Sequence, residues 1–102
     1  MTIKEQKMYF GIYCIECKVT KIKYIGKTRE NFYRRWIFHK WNLKNNHHSN
    51  TYLQNAWNKY GKENFEFYPI TKFLVSNEVS DTELNKLEIK YILEYMLLNR
   101  SI

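Results

Sequence analysis

The sequence predicts a small α+β domain whose elements follow the order ββααβα. Three observations carry this. Residues 8–19 alternate as a strand does, with Phe10, Ile12 and Cys14 on one face and Tyr13, Ile15 and Cys17 on the other. Three later stretches, around Trp36, Trp57 and Leu87, space their apolar residues at helical intervals. A further strand-like run at residues 64–74 falls between the second and third of those stretches. The chain has 102 residues, 44% hydrophobic and 18% aromatic, so a single domain is expected over 1–102, with its core at 8–98 built partly from Tyr, Phe and Trp.

In chain order, residues 1–7 are a polar lead-in, expected to be loosely ordered. The first strand is apolar on both faces, so it is expected at the sheet centre, covered on both sides. Residues 18–21 reverse the chain without strong turn residues, and residues 22–26 return as an antiparallel partner. Residues 27–31 connect to a helix, with Thr28 and Asn31 both able to cap its start. Phe32, Tyr33, Trp36, Ile37 and Trp41 mark the expected buried stripe of that helix. A polar loop at residues 45–50 carries His47 and His48. Ser49 or Asn50 caps the second helix, which turns Leu53, Ala56, Trp57 and Tyr60 inward and stops at Gly61. Pro69 lacks a ladder donor, which puts the third strand at a sheet edge. A capping box, Ser80-Asp81-Thr82-Glu83, opens the last helix, with Leu84, Leu87, Tyr91, Ile92 and Tyr95 on its buried side.

The net charge of +7 is unevenly placed. Residues 1–50 hold eleven Lys and Arg against three Glu, a net +8, while residues 51–102 come to −1. The basic half suggests a polyanion partner. No apolar run is long enough to span a bilayer, and the two cysteines fit a reduced chain, so a cytoplasmic protein is expected.

Some residues ask for chemistry. Glu88 lies four after Leu84 and three before Tyr91, so it projects from the apolar stripe of its own helix. A carboxylate there is costly unless paired or metal-bound. It either sits at the rim, reaching solvent or Arg35, or offers a single-carboxylate site for Mg²⁺ completed by water and phosphate oxygens. Arg35 and His39 are four apart and share a helix face, an arrangement that suits a phosphate. Tyr13 and Tyr24 would each pass for an ordinary strand aromatic; their joint placement with Arg35 and His39 is the signal. Cys14 and Cys17 are three apart on a strand, on opposite faces, and are read as buried thiols rather than half a zinc site.

These residues resemble the GIY-YIG nuclease domain. The resemblance runs from Gly11-Ile12-Tyr13 and Tyr24-Ile25-Gly26 through Arg35-Trp36 and His39, the stretch LQNAWNKYGKENF at 53–65, and Leu87-Glu88 with Tyr91-Ile92. It covers about residues 9–95 and is nearest to phage homing endonucleases, because the His48-Ser49 loop also matches that group. It implies a three-stranded antiparallel sheet flanked by three helices. It also implies hydrolysis of DNA phosphodiesters with one Mg²⁺ or Mn²⁺, in a bacterial or phage-infected cell.

By the same resemblance, Glu88 is the metal ligand and Arg35 contacts the scissile phosphate. Tyr13 is the general base, Tyr24 lines the site and orders water, and His39 assists the tyrosine or the phosphate. His48 is the further histidine of the homing group, and Lys27 falls where some restriction-type members have lysine. Lys27, Arg34, Arg35, Lys40 and His48 are the expected DNA contacts. A free tyrosine, with a pKa near ~10, is a weak base at neutral pH, so Lys27, Arg35 and His39 are expected to surround Tyr13 with positive charge. Whether Tyr13 or His39 finally holds the proton stays open. The resemblance further implies a monomer, a DNA-targeting domain downstream of this chain, and a closing asparagine after the last helix. Asn99 is the candidate for that asparagine, at a short spacing from Glu88, so either the chain is truncated or the closing segment is absent. The alternative is a non-catalytic nucleic-acid-binding module on the same scaffold, for which the basic half suffices.

Overall fold

The strand β1 (Tyr9–Cys17) lies at the centre of the fold, between β2 (Lys23–Thr28) and β3 (Phe65–Leu74) in one antiparallel sheet of order β2-β1-β3. The computed structural model describes residues 1–98 of the chain. The helices among them are α1 (Ile3–Met8), α2 (Phe32–Lys44), α3 (Thr51–Tyr60) and α4 (Asp81–Leu97), with a short 3₁₀ turn at Lys62–Asn64. The ββααβα order is present, preceded by α1.

Burial on both faces explains why β1 is central. Tyr13, Ile15 and Cys17 pack against Phe32, Trp36 and Leu43 of α2, Leu53 of α3 and Phe65 of β3. On the other face Phe10, Ile12 and Cys14 pack with Ile25 of β2, Val79, and Leu84 of α4. Leu87, Tyr91, Ile92 and Tyr95 continue that second core, as the last-helix stripe predicts. Cys14 and Cys17 are free, buried and on opposite faces, and burial pushes the Cys14 thiol up to about 11. Among the described residues no cluster of three metal-capable side chains forms. None of the described helices is long and apolar enough to cross a membrane.

Pro69 lies on edge strand β3, opposite Tyr13, where the register slips from Ile12↔Thr71 to Tyr13↔Pro69. Ile70 is the extra residue of this bulge, and Pro69 lies where the ladder is already interrupted. Gly11 has φ 139°, and a Cβ there would run into the Thr71 carbonyl oxygen of β3. The first motif glycine therefore lets two strands approach at a backbone angle that side chains rarely adopt.

Three expectations are corrected. Residues 1–7 are not loose: Thr2 Oγ1 accepts from Glu5 N–H (3.1 Å) and Glu5 Oε1 accepts from Thr2 N–H (3.3 Å), a reciprocal cap that starts α1. At α4 only half of the expected box forms, Ser80 Oγ accepting from Glu83 N–H (3.1 Å). The buried side of α2 is Phe32, Trp36, His39 and Leu43, while Ile37 and Trp41 are 46% and 57% exposed. At about 100° per residue, Trp41 lies half a turn from Phe32, so the two cannot share a face. Asn31 caps α2 (Oδ1 to Arg34 N–H, 2.9 Å) and Asn50 caps α3 (Oδ1 to Leu53 N–H, 2.9 Å).

Candidate active site

The site is built around the Tyr13 hydroxyl. Tyr13 is 0% exposed and directly faces Gly26 across the β1–β2 ladder. Its phenol lies over that glycine: a Cβ on Gly26 would come within 2.5 Å of Tyr13 Oη and 2.9 Å of Cε2. The second motif glycine thus makes room for the first motif tyrosine.

Two residues of α2, one turn apart, reach that oxygen. His39 Nε2 is 2.5 Å from Tyr13 Oη, and Arg35 Nε–H donates to it at 3.4 Å. His48, from the loop after α2, lies 2.7 Å from His39 Nδ1 through its Nε2. The two imidazoles stack at 5.0 Å between centroids. Tyr24 of β2 sets its ring edgewise to both, 5.4 Å from His39 and 5.8 Å from His48. The residues Tyr13, Tyr24, Arg35, His39 and His48 therefore converge on one face of the sheet.

Glu88 comes from the other face. Lys27 of β2 and Arg29, just past its end, hold α4: Lys27 Nζ donates to Asn85 Oδ1 and Arg29 Nε to Asp81 Oδ1. Lys27 also lies 3.8 Å from Glu88 Oε1, whose side chain is 22% exposed. The partner of Glu88 is thus Lys27, not Arg35. A cleft of about 530 Å³ opens beside these groups, lined by Lys27, Thr28 and Arg35 on one side and Leu84 and Asn85 on the other. The negative charge of Glu88 is the smallest of the influences that raise Tyr13 and Tyr24.

The expected positive field around Tyr13 is incomplete. Burial pushes the Tyr13 phenol well above the usual tyrosine range, and Tyr24 and Glu88 add to the rise against the opposing pull of Arg35. Tyr24 is raised as well, chiefly by burial. Burial, with His48 and Arg35 alongside, pushes His39 down to about 3, so it is neutral at pH 7 and contributes no charge. His48 is lowered for the same principal reason. Arg35 is the cation that touches Tyr13.

The other expected DNA contacts spread out. Arg34 is exposed and borders a hollow with Phe38 and Trp41 that adjoins the Lys27 cleft, Arg35 lining both. Lys40 lines a different cleft with Trp36, Trp57 and Lys62, its Nζ 4.9 Å above the Phe67 ring, so it does not join the Arg35 cleft. Asn99 lies outside the described residues. Sequence reasoning missed Gln54, a buried amide on the inner side of α3, and Asn85, one turn before Glu88. Gln54 had a signal, being polar and directly beside the inward Leu53.

Glu88 fits a hard divalent cation in one specific way. Its carboxylate approaches Lys27 no closer than 3.8 Å, which leaves oxygen lone pairs free. A lone carboxylate suits an ion such as Mg²⁺ that keeps several waters and shares a substrate phosphate, not one caged by protein ligands.

Residues 9–99 match the family model of the GIY-YIG catalytic domain. Two solved structures share the fold. A glutamate-to-alanine variant of the catalytic domain of the intron endonuclease I-TevI is 26% identical, with TM-score 0.74 over 85% of this chain and 84% of that one. The catalytic domain of the homing endonuclease I-TevI is also 26% identical, with TM-score 0.73 over 83% of this chain and 86% of that one. Among curated proteins none matches. The family match takes in both tripeptides, the Arg35–His39 helix and Glu88, the residues that form the site, and the chain belongs to the GIY-YIG catalytic domain family.

Proposed function

We propose that this domain hydrolyses DNA phosphodiesters with the help of one divalent cation held at Glu88, as the catalytic module of a homing-type endonuclease. The observation that supports this best is the convergence of Arg35, Tyr13 and His39 beside a cleft that Lys27 and Asn85 tie to the Glu88 helix.

Arg35 commits one N–H to Tyr13 and keeps four guanidinium hydrogens for phosphate oxygens. Lys27 on the cleft wall adds a second positive charge for the DNA backbone. Bound at Glu88, Mg²⁺ or Mn²⁺ supplies charge neutralisation and a stabilised leaving oxygen. The Tyr13–His39 pair receives a proton of the attacking water as its oxygen bonds to phosphorus and the leaving P–O bond breaks. Tyr24, beside both imidazoles, orders that water. The buried aromatic surround excludes other water from the relay.

Supercoiled plasmid with Mg²⁺ provides the test. The wild-type domain is expected to convert it to the nicked form, with Glu88→Ala and Arg35→Ala each at least about 10²-fold slower. Equal nicking by all three proteins, or none by the wild type, overturns the reading. Salt-sensitive binding that survives without cleavage would favour the non-catalytic module.

A further inference from the structure

A line of hydrogen bonds runs from the loop after α2 to the centre of the site. Asn50 N–H donates to His48 Nδ1 at 3.0 Å. His48 Nε2 meets His39 Nδ1 at 2.7 Å, and His39 Nε2 meets Tyr13 Oη at 2.5 Å. A backbone amide can only donate. His48 Nδ1 is therefore an acceptor, and neutral His48 carries its proton on Nε2. That proton points to His39 Nδ1, which makes His39 an acceptor there and places its own proton on Nε2. His39 Nε2–H then donates to Tyr13 Oη. Arg35 Nε–H donates to the same oxygen, and a guanidinium has no acceptor to offer in return.

The direction of this line has a chemical consequence. Suppose His39 took a proton from Tyr13. Both of its nitrogens would then donate, and His48 Nε2 would have to accept while His48 Nδ1 already accepts from Asn50. His48 would need to lose its only ring proton, or one of these hydrogen bonds would break. The arrangement opposes His39 as the proton acceptor and favours two donors converging on the Tyr13 oxygen.

Gln54 holds His48 in this pose. It is 6% exposed, and its amide is occupied at both ends. Gln54 Oε1 accepts from His48 N–H at 3.0 Å, while Nε2 donates to Leu43 O and to Asn58 Oδ1, each at 3.0 Å. One side chain thus ties the His48 loop to the end of α2 and to the middle of α3. Asn50 adds a second constraint, since its side chain caps α3 while its amide holds His48.

We infer that Gln54 and the Asn50 amide are positioning groups of the site: they hold His48 in its Nε2–H tautomer, so that the histidine pair donates toward the Tyr13 oxygen. The effect on nicking rests on the nuclease reading; the tautomers do not.

Long-range ¹H–¹⁵N NMR of the histidine rings in the free wild-type domain at neutral pH tests the tautomers directly. Both His39 and His48 are expected to carry their proton on Nε2. An Nδ1–H tautomer at either, or a doubly protonated His39, overturns the inference. Gln54→Met keeps the side-chain volume and removes the amide. It is expected to give His48 mixed tautomers and to slow single-turnover plasmid nicking by 10-fold or more, with KM unchanged. Unchanged tautomers in this variant overturn the role of Gln54. Nε2–H signals in a domain that nicks no DNA support the positioning assignment and overturn the nuclease reading, so the two failures are distinct.

Discussion

Gly26→Ala adds one methyl group at the most crowded point of the site. Gly26 faces Tyr13 across the ladder, and the new Cβ would lie 2.5 Å from Tyr13 Oη and 2.9 Å from Cε2. Ordinary contact needs about 3.4 Å or more between such atoms, so the ring must move by roughly 1 Å. It has nowhere free to go. Tyr13 is fully buried between Phe32, Trp36 and His39, with ring centroids at 6.2, 6.3 and 5.5 Å. Overpacking of this kind costs about 1–3 kcal/mol, which lowers Tm by about 4–24 °C in a domain of this size. A displacement of ~1 Å also breaks the bond to His39 and slows the chemical step by about 10²-fold. Thermal melts measure the first effect and single-turnover nicking the second. A further comparison isolates the cause. In a Tyr13→Leu background the side chain stops short of the clash, and adding Gly26→Ala should lower Tm no further. A Gly26→Ala protein with wild-type Tm and nicking rate, or an equal Tm loss in the Tyr13→Leu background, would refute the steric account.

Three other outcomes follow from the same geometry. Because His39 is held down to about 3 while an unfolded histidine titrates near its usual value of 6.5, the unfolded state binds the extra proton between those values. Stability is therefore complete above pH ~6.5 and falls on acidification, by up to about 1.4 kcal/mol per pH unit, in urea titrations from pH 7 to 4; a flat profile would contradict a neutral buried His39. On α2, Trp36→Ala should cost about 3–5 kcal/mol and Trp41→Ala within about 0.5 kcal/mol in chemical unfolding, the reverse ranking placing the helix face wrongly. Glu88→Ala should change stability by no more than about 1 kcal/mol, since its partner Lys27 is partly exposed and 3.8 Å away, while abolishing cation-dependent nicking; a collapsed melt would make Glu88 structural instead.

The parts of the fold that were legible are those set by local period. Strand β1 shows both buried faces because its alternation persists over nine residues with no polar break on either side before Glu16. Helix α4 shows its stripe for the same reason, and Glu88 stands out against it. Helix α2 misleads because its exposed side is as apolar as its buried one: Ile37, Phe38 and Trp41 face outward, and a histidine occupies the inner row. No periodicity rule seats an imidazole in a core. His39 is there because the Tyr13 hydroxyl and His48 satisfy its two nitrogens. The site was legible residue by residue through the two tripeptides and the Arg35–His39 spacing. Gln54 and Asn85 were not, because each acts on a partner distant in sequence or in a loop, and spacing along one element carries no trace of that.

The edge position of β2 explains how a three-stranded sheet assembles such a site. A central strand keeps its two faces apart, as β1 does with Cys14 and Cys17. At an edge, the helices that cover opposite faces are separated only by one strand. On β2, Tyr24 and Gly26 serve the α2 side, where Tyr13, Arg35 and His39 meet, while Lys27, with Arg29 just past the strand's end, binds α4 through Asn85, Glu88 and Asp81. Opposite faces of this strand, with the residue after it, thereby connect the Arg35 side to the Glu88 carboxylate. The Glu88 charge reaches both tyrosines from the far face. Loss of the Lys27 and Arg29 contacts would therefore separate the two halves of the site while leaving each core intact. A Lys27→Ala, Arg29→Ala double variant should keep a cooperative melt and the His39 and His48 tautomers of the wild type, yet lose most of its nicking rate. Retention of full nicking would show that α4 holds its position through the apolar core alone.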